Sequence, residues 1–172
     1  MIKIGKKALL AAAACAFLLC GCTKSNIVQP EEESANEPDF NIYNNLELDM
    51  DQFQSEVKEV CLDENDYPMA DAVEFEIDED KALVSVTVVV KDDTSAEDTA
   101  AYADAVIKEI NDEAAVQDYS YAESGEDTFG GYFQDRAIHL KIYEKAAYEA
   151  GGEPEYETDI PKDTYMTFDI EK

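Results

Sequence analysis

Two runs of alternating side chains constrain this chain more than any other feature. Val73, Phe75 and Ile77 alternate with Glu74 and Glu76; further on, Val84, Val86, Val88 and Val90 alternate with Ser85, Thr87 and Val89. A period of two belongs to a strand, whose successive side chains point to opposite faces. Separated by Asp78-Glu79-Asp80-Lys81, the two runs read as a hairpin. The connection has no Asn-Gly or Asp-Gly pair, so its turn type and register stay open. One face of the pair is apolar and the other mostly polar, the pattern of a sheet covered on one side.

Helices on either side of the hairpin can supply that cover. Leu46, Met50, Phe53, Val57, Val60 and Cys61 recur at steps of three and four and draw one stripe. Asp49, with Gln52 three residues later, resembles a capping box, so the helix starts near 49 or 50. It ends near Leu62, before Asp63-Glu64-Asn65-Asp66 and Pro68. A second helix opens at Asp92-Asp93-Thr94-Ser95-Ala96-Glu97, with Thr94 as N-cap and Glu97 in the box position. Its buried stripe is Ala103, Val106, Ile107, Ile110 and Ala114.

The last third reads as strand: Tyr119 and Tyr121, a loop from Glu123 to Gly131, then Phe133 to Tyr143 with Ile138, Leu140 and Ile142 alternating with His139 and Lys141. A long acidic loop from Ala146 to Pro161 follows, and Met166, Phe168 and Ile170 suggest a terminal strand. The order α-β-β-α-β-β-β predicts an α+β sandwich, two helices packed on one face of a four- or five-stranded mostly antiparallel sheet.

The start of the chain has a different logic. Lys3, Lys6 and Lys7 precede the apolar run Ala8 to Leu19, which is too short to span a bilayer core of about 20 residues. A basic segment, an apolar segment and small residues make a secretory signal. The ending Leu19-Cys20-Gly21-Cys22 resembles the lipobox of bacterial lipoprotein signal peptides, with Leu19, Gly21 and Cys22 at its defining positions and Cys20 where Ala or Ser is more usual. The resemblance covers residues 1–22. It implies a diacylglyceryl group on the Cys22 thiol, cleavage before Cys22, and a membrane-held protein on the extracytoplasmic face of the cell envelope. Residues 1–21 are then the signal, 22–44 the lipidated cysteine and an acidic tether carrying Pro30, Pro38 and Glu31-Glu32-Glu33, and 45–172 a single α+β domain. A 22-residue coil has a mean reach of about 25 Å.

Charge narrows the partners. The chain has 13 basic and 41 acidic residues, a net charge of −28; losing residues 1–21 removes three lysines and no acid, which makes it −31. Such a surface repels nucleic acid and anionic headgroups. Four cysteines are present. With Cys15 and Cys20 in the signal and Cys22 lipidated, Cys61 has no disulfide partner, and its place on the apolar side of a helix suits packing.

Catalytic patterns are absent: no H-E-x-x-H, C-x-x-C or G-x-S-x-G occurs, and His139 is the only histidine. A Ser-His-Asp arrangement need not be local, but no serine is nominated for it. Asp63, Asn65 and Glu74 match three EF-hand positions, while Tyr67 and Pro68 occupy places that need a ligand and a glycine. A looser, weak Ca²⁺ site is expected, if anywhere, at Asp78-Glu79-Asp80 or between Glu153 and Asp159. No cofactor is called for. Seven of the ten tyrosines lie between Tyr119 and Tyr165. Tyr119, Tyr121, Tyr132 and Phe133, near a glycine-containing loop, are the candidate partner-binding residues, since aromatic rings give contact area at little entropy cost. The resulting expectation is a non-enzymatic protein- or peptide-binding accessory module of the envelope; the alternatives are a small envelope hydrolase and a divalent-cation-binding domain.

Overall fold

The computed structural model describes residues 48–171; Cys22, the signal and the tether lie outside them. The element order is α1 (Met50–Cys61), β1 (Ala70–Asp78), β2 (Leu83–Val90), α2 (Ala96–Gln117), a 3-10 turn (Gly131–Phe133), β3 (Ala137–Glu144), α3 (Lys145–Glu149) and β4 (Tyr156–Ile160). The fold is a mixed α/β one with a single open four-stranded sheet in the order β1-β2-β3-β4.

Two of its three ladders, β1 with β2 and β3 with β4, are antiparallel, and the central one, β2 with β3, is parallel. A parallel neighbour needs a crossover, which here is made by α2 and the loop after it. In the parallel register Val84 pairs with Ile138, Val86 with Leu140 and Val88 with Ile142. These residues, with Val73, Phe75 and Ile160, join Phe53, Val57 and Cys61 of α1 and Tyr102, Val106, Ile107 and Ile110 of α2 in one buried cluster. The two helices run antiparallel: Asp49 N–H donates to Gln117 Oε1 at 2.7 Å at one end, and Tyr102 Oη donates to the Cys61 carbonyl at 2.8 Å at the other.

α1 is capped by Asp49, whose Oδ1 accepts from Gln52 N–H at 3.1 Å. The cap of α2 is Ser95, not Thr94, and its box partner is Asp98, not Glu97: Ser95 Oγ accepts from Asp98 N–H and donates to its carboxylate. Thr94 is drawn off because its hydroxyl donates to the Lys91 carbonyl, while Asp93 takes a left-handed conformation with φ 63°.

Four further expectations are corrected. Tyr119 and Tyr121 form no strand: Asp118 Oδ1 accepts from Ser120 N–H at 2.9 Å and turns the chain as soon as α2 ends. The third strand begins at Ala137, because Gly131–Phe133 coils as a 3-10 turn. The acidic stretch after it contains α3 and β4, whose Tyr156, Thr158 and Ile160 pair with Ile142, Leu140 and Ile138. Met166–Ile170 makes no ladder; Phe168 and Ile170 are buried, and the Phe168 ring lies 6.0 Å from Tyr156 and 6.4 Å from Phe129. The order is therefore α-β-β-α-β-α-β.

Candidate functional site on the uncovered sheet face

The strand residues that do not point into the core form cross-strand rows. Glu76 pairs with Ser85, Ser85 with His139 and His139 with Asp159; in the next row Glu74 pairs with Thr87, Thr87 with Lys141 and Lys141 with Glu157. Acid, hydroxyl, base and acid thus follow one another across the sheet, twice. The row beyond, Ala72, Val89 and Tyr143, is covered by α3. Val89 is fully buried, and the Tyr148 ring packs edge-on against Tyr143 at 5.4 Å. Lys145 Nζ reaches Asp71 Oδ1 at 2.6 Å, so α3 also straps β1 to β3. A hydrogen bond to Glu74 raises the Tyr148 phenol above its ordinary range. What remains open is a polar half-sheet two rows deep.

Its two basic side chains are engaged. His139 Nδ1 lies 2.7 Å from Asp159 Oδ1 and Nε2 lies 3.2 Å from Glu157 Oε1; Lys141 Nζ is 3.5 Å from the same Glu157 oxygen. A serine nucleophile needs a histidine bonded to a hydroxyl on one side and a carboxylate on the other. Ser85 neighbours His139 in register, yet both ring nitrogens go to carboxylates. At the β1 edge Glu76 is exposed and has no ion-pair partner among the described residues.

Two adjoining concavities mark this side. One, of about 650 Å³, surrounds the β1–β2 turn from Glu76 to Lys81. The other, of about 430 Å³, lies along β1 between Gln54 and Lys58 of α1 and Ser85 and Thr87 of β2. They share Glu76 and Ser85.

The acidic stretches are locally occupied. Lys81 donates to Asp78 through both Nζ and its backbone N–H, which holds that carboxyl below its usual range. Asp63 Oδ1 accepts from both the backbone and the side chain of Asn65 at 2.8 Å, an Asx turn at the end of α1. Glu157 and Asp159 serve His139. Among the described residues no group of three or more His, Cys, Asp or Glu side chains is placed to hold a metal ion.

The expected aromatic patch is divided. Tyr132 is 0% exposed and Phe133 3%, so both are core residues rather than a recognition surface. Asn111, fully buried on α2, takes them inward: its Oδ1 accepts from Tyr132 N–H at 2.9 Å while its Nδ2 donates to the Ala122 carbonyl at 3.1 Å. Tyr121 is half-buried with its ring edge-on to Tyr132 at 5.2 Å. Tyr119 alone of the four stands in solvent, 81% exposed. Sequence reasoning missed the open half-sheet as a site, although the alternation of Glu74, Glu76, Ser85, Thr87, His139 and Lys141 was its signal. No family model, curated protein or solved structure matches the chain.

Proposed function

We propose that this chain is a lipid-anchored extracytoplasmic protein, attached through Cys22, whose domain is a non-enzymatic protein- or peptide-binding accessory module of the cell envelope. The anchor rests on the lipobox Leu19-Cys20-Gly21-Cys22 and the acidic tether behind it. Two acyl chains at about 0.8 kcal/mol per buried CH₂ hold a protein firmly where one does not. The observation that carries the binding role is the polar half-sheet of Glu74, Thr87, Lys141, Glu157 and Glu76, Ser85, His139, Asp159, open to solvent beside a long edge strand. The hydrolase alternative has less behind it, because both ring nitrogens of His139 lie against carboxylates and neither against a hydroxyl.

Cross-linking in native membranes, followed by identification of the attached protein, tests the binding role; a domain that couples to nothing there is not an accessory module. The anchor is tested by Cys22→Ser, which should release the protein from the membrane fraction. A variant that stays with the membrane and partitions into detergent overturns the anchor.

A further inference from the structure

We propose that β1 is the strand on which the partner is received: an extended segment of the partner protein, with lysine or arginine at alternate positions, pairs along the outer edge of β1 and sets its cations over Glu74 and Glu76. This rests on the partner-binding reading above and adds the chemistry of the partner.

Three observations converge on that edge. β1 is nine residues long and pairs only with β2; every second residue of an edge strand directs its N–H and C=O away from the sheet, a template for an added strand. The opposite edge is different. β4 is five residues long, and the C-terminal chain packs beside it through Phe168 on Tyr156. The concavity of about 430 Å³ lies along β1, between Gln54 and Lys58 and the open face.

Charge then selects the occupant. A second copy of this chain would place its own Glu74 and Glu76 against the first pair, and like charges across a ladder are destabilising. Net charge −28 extends that repulsion to long range and draws cationic segments in. Because side chains alternate along a strand, only every second partner residue lies on the face of Glu74 and Glu76. The residues between them turn toward the Phe75 side, where Gln54 and the Lys58 cation form the wall and disfavour further positive charge. The expected segment alternates cationic with small or apolar residues.

The test uses the full chain in detergent micelles, labelled with nitrogen-15, and a capped peptide Lys-Val-Lys-Thr-Lys-Val-Lys as probe. Amide shifts and slowed hydrogen exchange should concentrate between Ala72 and Ile77. The paired variant Glu74→Gln, Glu76→Gln should weaken binding about fivefold at low salt, and N-methylation of alternate peptide amides should abolish it. Shifts centred on β4 or Tyr119, equal binding of the Glu-for-Lys peptide, or indifference to N-methylation would each overturn the proposal. A photo-cross-linker placed at Gln54, which lines the concavity along β1 without belonging to the acidic pair, or at Tyr119 in native membranes separates the two readings. Capture at Tyr119 but not at Gln54 overturns the assignment to β1 and leaves the partner-binding role standing; capture at neither overturns both.

Discussion

Tyr132 N–H donates to Asn111 Oδ1 at 2.9 Å, fastening an aromatic turn to the middle of a helix 21 residues earlier in the chain. Asn111→Ala leaves that N–H buried without a partner, at about 1–3 kcal/mol, while the Ala122 carbonyl loses one of its two donors and keeps the Gly131 N–H at 2.8 Å. The expected loss is about 1–3 kcal/mol in denaturant unfolding. Gly130→Ala should be at least as harmful: Gly130 has φ 96°, and a Cβ there would lie 2.1 Å from Asn111 Nδ2.

Two buried tyrosines should respond oppositely to loss of their hydroxyl. Tyr102 Oη donates to the Cys61 carbonyl at 2.8 Å, so Tyr102→Phe orphans a carbonyl and should cost about 1 kcal/mol. Tyr132 Oη is buried with no hydrogen-bond partner. Tyr132→Phe removes an unsatisfied polar atom and should be neutral or stabilising. A Tyr132→Phe protein that unfolds more readily than Tyr102→Phe would contradict this assignment.

Acidification from neutral pH should at first stabilise the domain. Burial, then the neighbouring Glu113 and Asp112, raises the Glu109 carboxyl above its ordinary 4.5; burial, then Glu56 and Asp112, does the same for Glu113. The folded state therefore binds protons more tightly than the unfolded one at these sites, and stability increases as the pH falls from 7 toward their folded values. Asp63 and Asp78 act the other way. Hydrogen bonds from Asn65 and from Lys81 lower them, so their contribution is present above the ordinary Asp value of 3.8 and is lost as the pH falls through their folded values. Melting temperature should pass through a maximum on the acid side of neutrality, and Glu109→Gln should raise it at pH 7 while flattening the rise on acidification. A maximum at pH 8 would be incompatible with this.

Cys61 should be inert in the folded protein. Burial, reinforced by the charge of Glu109, pushes its thiol up to about 12, and the thiolate is the reactive form. Maleimide at pH 7.5, followed by mass analysis of the peptide carrying Cys61, should show no adduct in buffer and full modification in denaturant. Rapid labelling under native conditions would mean that α1 opens locally.

Elements with strong periodicity were legible in the sequence, and those made by distant partners were not. Phe53, Val57 and Cys61, the hairpin valines and Val106, Ile107 and Ile110 declare their faces locally, and all are buried. β4 was hidden because Tyr156, Thr158 and Ile160 share an acidic stretch and form a strand only against β3. At α3, five residues with no cap from Glu144 give a pattern little to register, and the carboxylate that accepts from the Ala146 N–H belongs to the distant Asp92. The alternation of Phe168 with Ile170 was real and did bury both side chains, but alternation specifies burial, not a ladder. Tyr132 and Phe133 looked like surface because loops usually are. Their signal was the glycine pair before them, which admits the close approach to Asn111 and Tyr121. The open half-sheet was half legible: its polar residues alternate visibly, whereas the pairing of His139 with Asp159 depends on register between separate strands.

The parallel pairing of β2 with β3 also sets a timetable. β1, β2 and α2 can form from neighbouring residues as the chain emerges, but Leu83 must wait for Ala137 before the ladder can start. Until then the run Val84 to Val90 borders an unsatisfied edge of high β-propensity, the kind of segment that recruits other chains. The acids at Glu74, Glu76 and Asp78-Glu79-Asp80 in the adjoining strand and turn act in this interval as gatekeepers, keeping nascent copies apart until the sheet is complete.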